Sequence, residues 1–214
     1  MLKVWGRRNS FNVQKVMWLI GELDLSHEHI NAGGSFGLVN EPAFLAMNPH
    51  GRVPVIEDDG AVIWESHAIL RYLAATYGRG RFWQEEAAVR SQWDRWMDWS
   101  QASLHRDFLD LFWSFYRTPP EQHDAALIKS HLGLTNAHFA RLDAHLSHHA
   151  FMTGDALSLA DITIGATLYR YFELEIERPS LPHLEAWYRK LGDRPAYRQH
   201  VMVPFDDLRG RLSQ

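Results

Sequence analysis

Two short segments of the chain carry residue types that could bind a small peptide. In the first, Val53 and Pro54 open an apolar run that predicts a β-strand, and proline lacks an N–H, which places it at the first residue or the edge of a strand. A cis bond between them would turn the N–H and C=O of Val53 outward, where they can pair with another peptide backbone. In the second, Glu65 and Ser66 stand where a helical pattern begins, and a helix start is a ready anion site.

The composition excludes several classes of function. The chain has no cysteine, which excludes disulfides, zinc-finger cysteines and a protein thiol nucleophile. Its net charge of −4 provides no basic field, so we expect no nucleic-acid partner. No apolar segment reaches the length of a membrane span, and we therefore expect a cytoplasmic protein without a membrane partner. His145 and His149 are four residues apart but lack a carboxylate at zinc-protease spacing, so we expect a solvated helix end and no metal.

The order of the predicted elements indicates an α/β domain over residues 1–77. A strand, a helix and a second strand come first, which predicts a parallel pair with a right-handed crossover. The four residues Asp58 to Ala61 then form a hairpin turn, with Asp-Gly as its signal, which adds an antiparallel pair. The predicted elements lie at residues 2–5, 13–23, 27–31, 42–47, 53–56, 62–64 and 66–77, in the order β-α-β-α-β-β-α.

The composition changes after this domain. Residues 78–83 are predicted to be a charged linker, and no convincing strand follows it. Apolar residues recur at helical spacing instead, which predicts an all-α domain over residues 84–214. Ser158 and Asp161 form a variant of the capping box, a structural helix start, and the helix that begins there is expected to run to about Glu175.

Motifs in both halves of the chain, taken together, resemble one family. They are NPHGRVPV at 48–55, ES at 65–66, SLAD at 158–161 and RPAY at 194–197. In this order and spacing, and with the predicted domains, the chain resembles the cytosolic glutathione S-transferases over its whole length. The resemblance implies a thioredoxin-like domain followed by a helical domain, glutathione as co-substrate, and a homodimer.

The resemblance also implies a set of glutathione-binding residues. The backbone of Val53, beside Pro54, would pair with the cysteinyl part of glutathione. Glu65 would bind the ammonium of the γ-glutamyl end and Ser66 its carboxylate, while Arg52 would lie near the glycine carboxylate. Glutathione has two carboxylates and one ammonium, so a cation, an anion and a helix N-terminus are its expected complement.

The group that activates the thiol is expected in the turn after the first strand, which has neither tyrosine nor cysteine. Ser10 resembles the serine of the theta-like enzymes, and Asn12 stands where many of them have proline. The pair of Ser10 and Asn12 also resembles the nu-type bacterial members, in which both polar groups lie near the sulfur. Considered alone, serine and asparagine are also favoured at helix starts. The division of labour between the two residues stays open at this point.

Three aromatic residues at helical spacing, Phe108, Phe112 and Tyr116, are expected either to line an apolar substrate pocket or to pack in the core between helices. The predicted function is a glutathione transferase that activates the thiol for attack on a small electrophile. One alternative is a glutathione-dependent disulfide or peroxide reductase. Another is a transferase-like protein that binds partners without catalysis, against which the intact set of predicted site residues argues.

Overall fold

The computed structural model describes residues 1–212, which form two compact units. The first unit comprises residues 1–83 and 196–203, and the second comprises residues 84–195 and 204–212. The predicted order of elements in the first unit is confirmed. Its elements are β1 (Leu2–Trp5), α1 (Phe11–Glu22), β2 (His27–Ile30), α2 (Pro42–Met47), β3 (Val55–Asp58), β4 (Ala61–Trp64) and α3 (Ser66–Tyr77).

A four-stranded mixed sheet forms the centre of the first unit, in the strand order β2-β1-β3-β4. β1 and β2 run parallel, as the predicted strand–helix–strand unit requires, and β3 is antiparallel to both β1 and β4. Asp59 and Gly60 form the two-residue turn between β3 and β4. Both have positive φ, of 47° and 85°, which is the geometry that an Asp-Gly hairpin turn favours. The turn therefore sets the register of the strand that leads to the candidate site.

The two faces of the sheet bury different residues because side chains alternate along a strand. On one face, Trp5, Val55 and Trp64 are aligned across β1, β3 and β4, and they pack with Phe44 of α2. Helices α1 and α3 pack against each other through buried apolar residues. The buried apolar residues of the two helices include Val13, Val16, Met17 and Ile20 of α1, and Ile69, Leu70 and Leu73 of α3. The starts of α1 and α3 are thereby held side by side.

A segment from the far end of the chain completes the first unit. Trp18 of α1 contacts Tyr197 edge to face, with ring centroids 4.7 Å apart. A Cβ added at Gly21 would lie 2.9 Å from the Cβ of Ala196, so this segment approaches the backbone of α1 closely. The helix that carries Tyr197 belongs to the chain's last tenth, and no pattern in the sequence indicates its contact with α1.

In the described residues, the regular elements of the second unit are all helices, and an isolated β-bridge joins Phe151 and Gly154. One long helical stretch runs from residue 87 to residue 117 and contains two segments of π-helix, Ser100–Leu104 and Phe112–Arg117. The α-helical parts of this stretch are α4 (Ala87–Trp99) and α5 (His105–Leu111). The later helices are α6 (Ala125–Leu146), α7 (Leu159–Gly165), α8 (Leu168–Glu173), α9 (Pro182–Gly192) and α10 (Pro195–His200). All of α10 except Pro195 belongs to the first unit.

The capping box at Ser158 and Asp161 is confirmed, but the length predicted for the helix that follows is wrong. Asp161 accepts hydrogen bonds from the Ser158 N–H at 2.9 Å and the Ser158 hydroxyl at 2.7 Å. The expected single helix to about Glu175 is divided into α7 and α8. At the break, the hydroxyl and the N–H of Thr167 both bond the Ile164 carbonyl, at 2.7 and 3.1 Å, and such local bonds compete with the regular helix.

Within residues 1–212, no helix combines the length and the apolar character needed to cross a membrane.

Candidate active site

The loop before β3 presents the backbone of Val53. The Val53–Pro54 peptide bond is cis, as predicted. Buried Asn48 holds this loop, because its Nδ2 donates to the Arg52 carbonyl at 2.8 Å and its Oδ1 accepts from the His50 N–H at 3.1 Å. In the part of the chain that the structure describes, the N–H and C=O of Val53 form no hydrogen bond, so both can pair with a ligand. Sequence analysis included Asn48 in the motif at 48–55 but did not predict that its side chain holds the loop.

A carboxylate and a helix N-terminus lie next to each other after β4. Glu65 is exposed and has a φ of 68°, a region that residues with side chains rarely adopt. Its carbonyl accepts the first bond of α3, from the Ile69 N–H at 2.9 Å. Ser66 begins the helix and is only 3% exposed. The first N–H groups of α3 have no partner within the helix and favour an anion. This corner is thus complementary to a ligand that carries both an ammonium and a carboxylate.

Ser10 and Asn12 lie at the start of α1, as predicted. Ser10 is the N-cap residue, yet its side chain makes no capping hydrogen bond. The Oδ1 of Asn12 accepts from the Ser66 hydroxyl at 3.3 Å, although 54 residues separate the two. This bond joins the start of α1 to the start of α3. Two segments that sequence analysis identified separately therefore meet at one place.

A buried lysine, which sequence analysis missed, lies beneath this junction. Lys15 is fully buried, and its Nζ lies 3.0 Å from Asn12 Oδ1 and 3.1 Å from the Nε2 of His67. Burial lowers the pKa of Lys15 to about 7, against an upward effect of the Glu65 charge. Burial, followed by the charges of Lys15 and Arg71, lowers the pKa of His67 to about 2, so its imidazole is neutral. The spacing of Asn12 and Lys15, three residues apart on one helix face, is the signal that could have found the lysine.

The arrangement is suited to binding and activating a peptide thiol. It combines an extended backbone edge at Val53, an exposed cation at Arg52 and an exposed carboxylate at Glu65 with two helix N-termini. Donated hydrogen bonds and helix N-termini stabilise an anion without a general base. Among residues 1–212, no group of three His, Asp or Glu side chains lies close enough to hold a metal ion.

The three predicted pocket residues lie in the interior of the second unit. Phe108, Phe112 and Tyr116 are at most 6% exposed. Phe112 stacks on Tyr116 with centroids 5.1 Å apart, and Phe108 contacts Phe139 edge to face at 6.3 Å. Phe205 packs against both Phe112 and Tyr116. This packing favours the core alternative, and a role in lining a substrate pocket stays a prediction.

Comparison with known proteins identifies the family. Residues 1–75 match the family described as Glutathione S-transferase, N-terminal domain, and residues 105–195 match Glutathione S-transferase, C-terminal domain. The curated Glutathione S-transferase GstB of Escherichia coli is 41% identical over 206 residues, which cover 95% of this chain and 99% of the relative. The chain belongs to the glutathione S-transferase family.

Solved structures and more distant relatives agree with this membership of the glutathione S-transferases. The theta class glutathione S-transferase from the citrus canker pathogen Xanthomonas axonopodis pv. citri, solved with glutathione bound, is 43% identical. Its TM-score is 0.90, and the match covers 95% of this chain and 98% of that chain. Glutathione S-transferase 3 of Zea mays is 28% identical over 94% of this chain and 93% of the relative. This glutathione S-transferase is accordingly a transferase enzyme with a thioredoxin-like N-terminal fold.

Proposed function

We propose that this transferase binds reduced glutathione on its first unit, lowers the pKa of the thiol through Ser10 and Asn12, and presents the thiolate to a small electrophile. The observation that carries the proposal is the hydrogen bond from the Ser66 hydroxyl to Asn12 Oδ1. This bond connects Ser66, which is expected to bind the glutamyl carboxylate, with Asn12, which is expected to contact the sulfur. The glutathione bound to the theta class relative supports the same ligand.

Each part of glutathione has a matching group in the proposal. The cysteinyl backbone pairs with the N–H and C=O of Val53, which precedes Pro54. The γ-glutamyl ammonium pairs with the Glu65 carboxylate, and the γ-glutamyl carboxylate binds Ser66 and the first N–H groups of α3. Arg52, which is exposed beside Val53, binds the glycine carboxylate as a charge-assisted pair.

Ser10 and Asn12 each have a hydrogen-bond donor that the fold leaves for the sulfur. The Ser10 hydroxyl is not used as a helix cap. The Oδ1 of Asn12 accepts from Lys15 and Ser66, which leaves Nδ2 as a donor on the other side of the amide. Both residues lie at the N-terminus of the 12-residue α1, whose positive end favours a thiolate.

The energies required for thiol activation are modest. Lowering the thiol pKa by about two units requires a preference for the thiolate of about 2.7 kcal/mol. One hydrogen bond to a charged group contributes about 1.5–3 kcal/mol. The N-terminus of a helix adds about 0.3–1 kcal/mol. Two donated hydrogen bonds and the start of α1 are therefore sufficient, and no general base is required.

The proposal extends to the protein's partners. The acceptor is a small electrophilic molecule, and the active form is a homodimer in the cytoplasm, as is typical of the family. Purified protein assayed with glutathione and a chloronitrobenzene, a hydroperoxide or a small disulfide would distinguish transfer from peroxide or disulfide reduction. Activity with the chloronitrobenzene is the result that the proposal expects.

Titration of the bound thiol tests the roles of Ser10 and Asn12. The measurement is the ultraviolet absorbance of thiolate against pH, for glutathione bound to Ser10→Ala, Asn12→Ala and the double variant. Each single change is expected to raise the thiol pKa by about one to two units, the effect of one lost charge-assisted hydrogen bond. The double variant should show less than the sum, because both donors share one anion.

Matched controls separate this effect from a general disturbance of the unit. Ser26→Ala and Asn31→Ala remove the same groups from exposed positions of the first unit and should leave the titration unchanged. If none of the three site variants shifts the titration while glutathione still binds, the turn is only a helix start and the proposed activation is wrong.

A further inference from the structure

The side chain of Lys15 connects the two helices of the candidate site from inside the protein. It extends from α1, is fully buried, and lies within hydrogen-bond distance of Asn12 on its own helix and of His67 on α3. His67 is itself 8% exposed and directly follows Ser66 in the chain. The lysine thus has no access to a ligand through solvent, and any influence on the site passes through the groups that it contacts.

The chemistry of the ammonium fixes the orientation of the Asn12 carboxamide. An ammonium has three donors and no acceptor, so the atom of Asn12 that faces Lys15 must be Oδ1. The Ser66 hydroxyl donates to the same oxygen. Turning the amide over would place Nδ2 against the ammonium and lose that bond, whereas the Ser66 hydroxyl can accept as well as donate, so it is the ammonium that fixes the orientation. With Oδ1 held on the interior side, Nδ2 is directed to the other side of the amide.

We propose that Lys15 is a positioning residue, which holds the Asn12 carboxamide with Nδ2 presented to the glutathione sulfur. This role rests on the proposed function, because it acts through Asn12. Hydrogen bonds in a chain also polarise one another, so an ammonium on Oδ1 makes the Nδ2 hydrogens better donors to a thiolate. His67 provides the second contact of the Lys15 ammonium. Its neutral ring offers the Nε2 lone pair to the ammonium, which places its own proton on Nδ1.

The charges around Lys15 determine the pH range over which Lys15 holds Asn12 in this orientation. Glu65, at the start of α3, favours the ammonium, whereas burial opposes it and brings the Lys15 pKa to about 7. Burial chiefly, and then the charges of Lys15 and of Arg71 on the same helix, lower the pKa of His67 and keep that ring neutral. A neutral amine can accept as well as donate, so it no longer forces the orientation of Asn12. The positioning effect should therefore be complete well below pH 7, be half lost at about pH 7, and weaken further above it.

Removing the ammonium while keeping the volume of the side chain tests the role. In Lys15→Met, the pKa of bound glutathione is expected to rise by about 0.5 to 1 unit, since the Asn12 donor is retained but no longer held. The value of kcat/KM at neutral pH should fall by about 3- to 10-fold, because a smaller fraction of the thiol is ionised. Affinity for S-methylglutathione, which has no thiol to ionise, should remain the same. Lys129→Met, at an exposed position of α6, is the control and should change none of these values.

The double variant Asn12→Ala/Lys15→Met distinguishes positioning from a purely structural effect. If Lys15 acts through Asn12, adding Lys15→Met to Asn12→Ala should produce no further shift in the thiol pKa. A shift that adds in full, or no shift in Lys15→Met alone while Asn12→Ala has its effect, overturns the role of Lys15 and leaves the proposed function standing. No shift in Asn12→Ala itself overturns the proposed activation and this inference together.

A measurement on the unaltered protein covers the case in which Lys15→Met does not fold. Nuclear magnetic resonance of isotope-labelled lysine reports the protonation of Lys15. Because coupling between sites is reciprocal, binding of glutathione should raise the Lys15 pKa more than binding of S-methylglutathione does. Equal shifts with the two ligands would show that the lysine and the sulfur are not coupled, and would overturn the inference.

Discussion

Replacement of Lys15 by methionine should stabilise the folded chain at neutral pH and remove a pH dependence that the native chain has. An unfolded lysine holds its proton up to a pKa of 10.5, whereas folded Lys15 releases it at about 7. Between these values the unfolded state binds more protons, so the stability of the native chain rises with pH over that range. Methionine fills a similar volume without a charge, and its contribution does not change with pH.

The magnitude follows from the same two pKa values. A difference of about 3.5 units corresponds to a cost of about 4 to 5 kcal/mol for the protonated lysine in the folded state at or below pH 7. Removing the lysine leaves the Nε2 of His67 without this partner, which costs about 1 to 3 kcal/mol. Asn12 retains its bond from Ser66. Lys15→Met should therefore be more stable than the native chain by about 1 to 4 kcal/mol at pH 7.

Urea denaturation followed by fluorescence of the nine tryptophans provides the assay. The difference in unfolding free energy between Lys15→Met and the native chain should shrink by about 4 kcal/mol from about pH 7 to about pH 10, and reverse in sign. Lys129→Met, at an exposed site, should track the native chain throughout. A difference that is the same at both pH values would refute the reasoning, because it would mean that folded Lys15 does not lose its proton in this range.

Four further predictions concern the ligand, the two units and the oligomeric state. Glu65→Gln should weaken glutathione binding by about 2 kcal/mol in calorimetry, because the ligand ammonium loses its carboxylate partner, and unchanged affinity would contradict the assignment. Asp161→Ala should lower the unfolding free energy by about 3 kcal/mol or more, since it leaves buried donors unpaired, whereas Gly21→Ala should cost about 1 to 3 kcal/mol through its contact with Ala196. Gly133→Ala, which meets nothing within 4 Å, is the control and should stabilise by about 0.5 to 1 kcal/mol. Sedimentation should give twice the chain mass of 24.8 kDa, and a monomer at micromolar concentration would contradict the proposed dimer.

Local sequence signals were sufficient for the elements of the first unit. The Asp-Gly turn requires positive φ at two successive residues, and that requirement alone fixes a two-residue hairpin and the direction of β4. Val53 and Pro54 before β3, and Glu65 and Ser66 before α3, are likewise signals whose meaning depends on neighbours in the chain. The binding groups of the candidate site could be selected because each of them stands at the end of such an element.

These local signals do not predict contacts between segments that are distant in the sequence. The packing of Tyr197 on Trp18 joins parts of the chain that share no pattern, so only the folded structure reveals it. At the break between α7 and α8, the hydroxyl and the N–H of Thr167 both bond the Ile164 carbonyl, a local pattern that helical periodicity does not register. The aromatic residues of the second unit were ambiguous for a related reason, since the same spacing serves a core and a pocket.

Lys15 was missed because its neighbours in the helix predict the opposite environment. The apolar stripe of α1 makes a lysine between Val13 and Val16 read as a solvent-facing side chain, yet it is fully buried. A buried ammonium lowers stability at neutral pH, so packing alone would favour an apolar residue at this position. The compensating contribution is found at Asn12, whose orientation the ammonium fixes. The Lys15→Met protein should be more stable but should ionise glutathione less well. A positioning role requires this combination, and a purely structural lysine would not produce it.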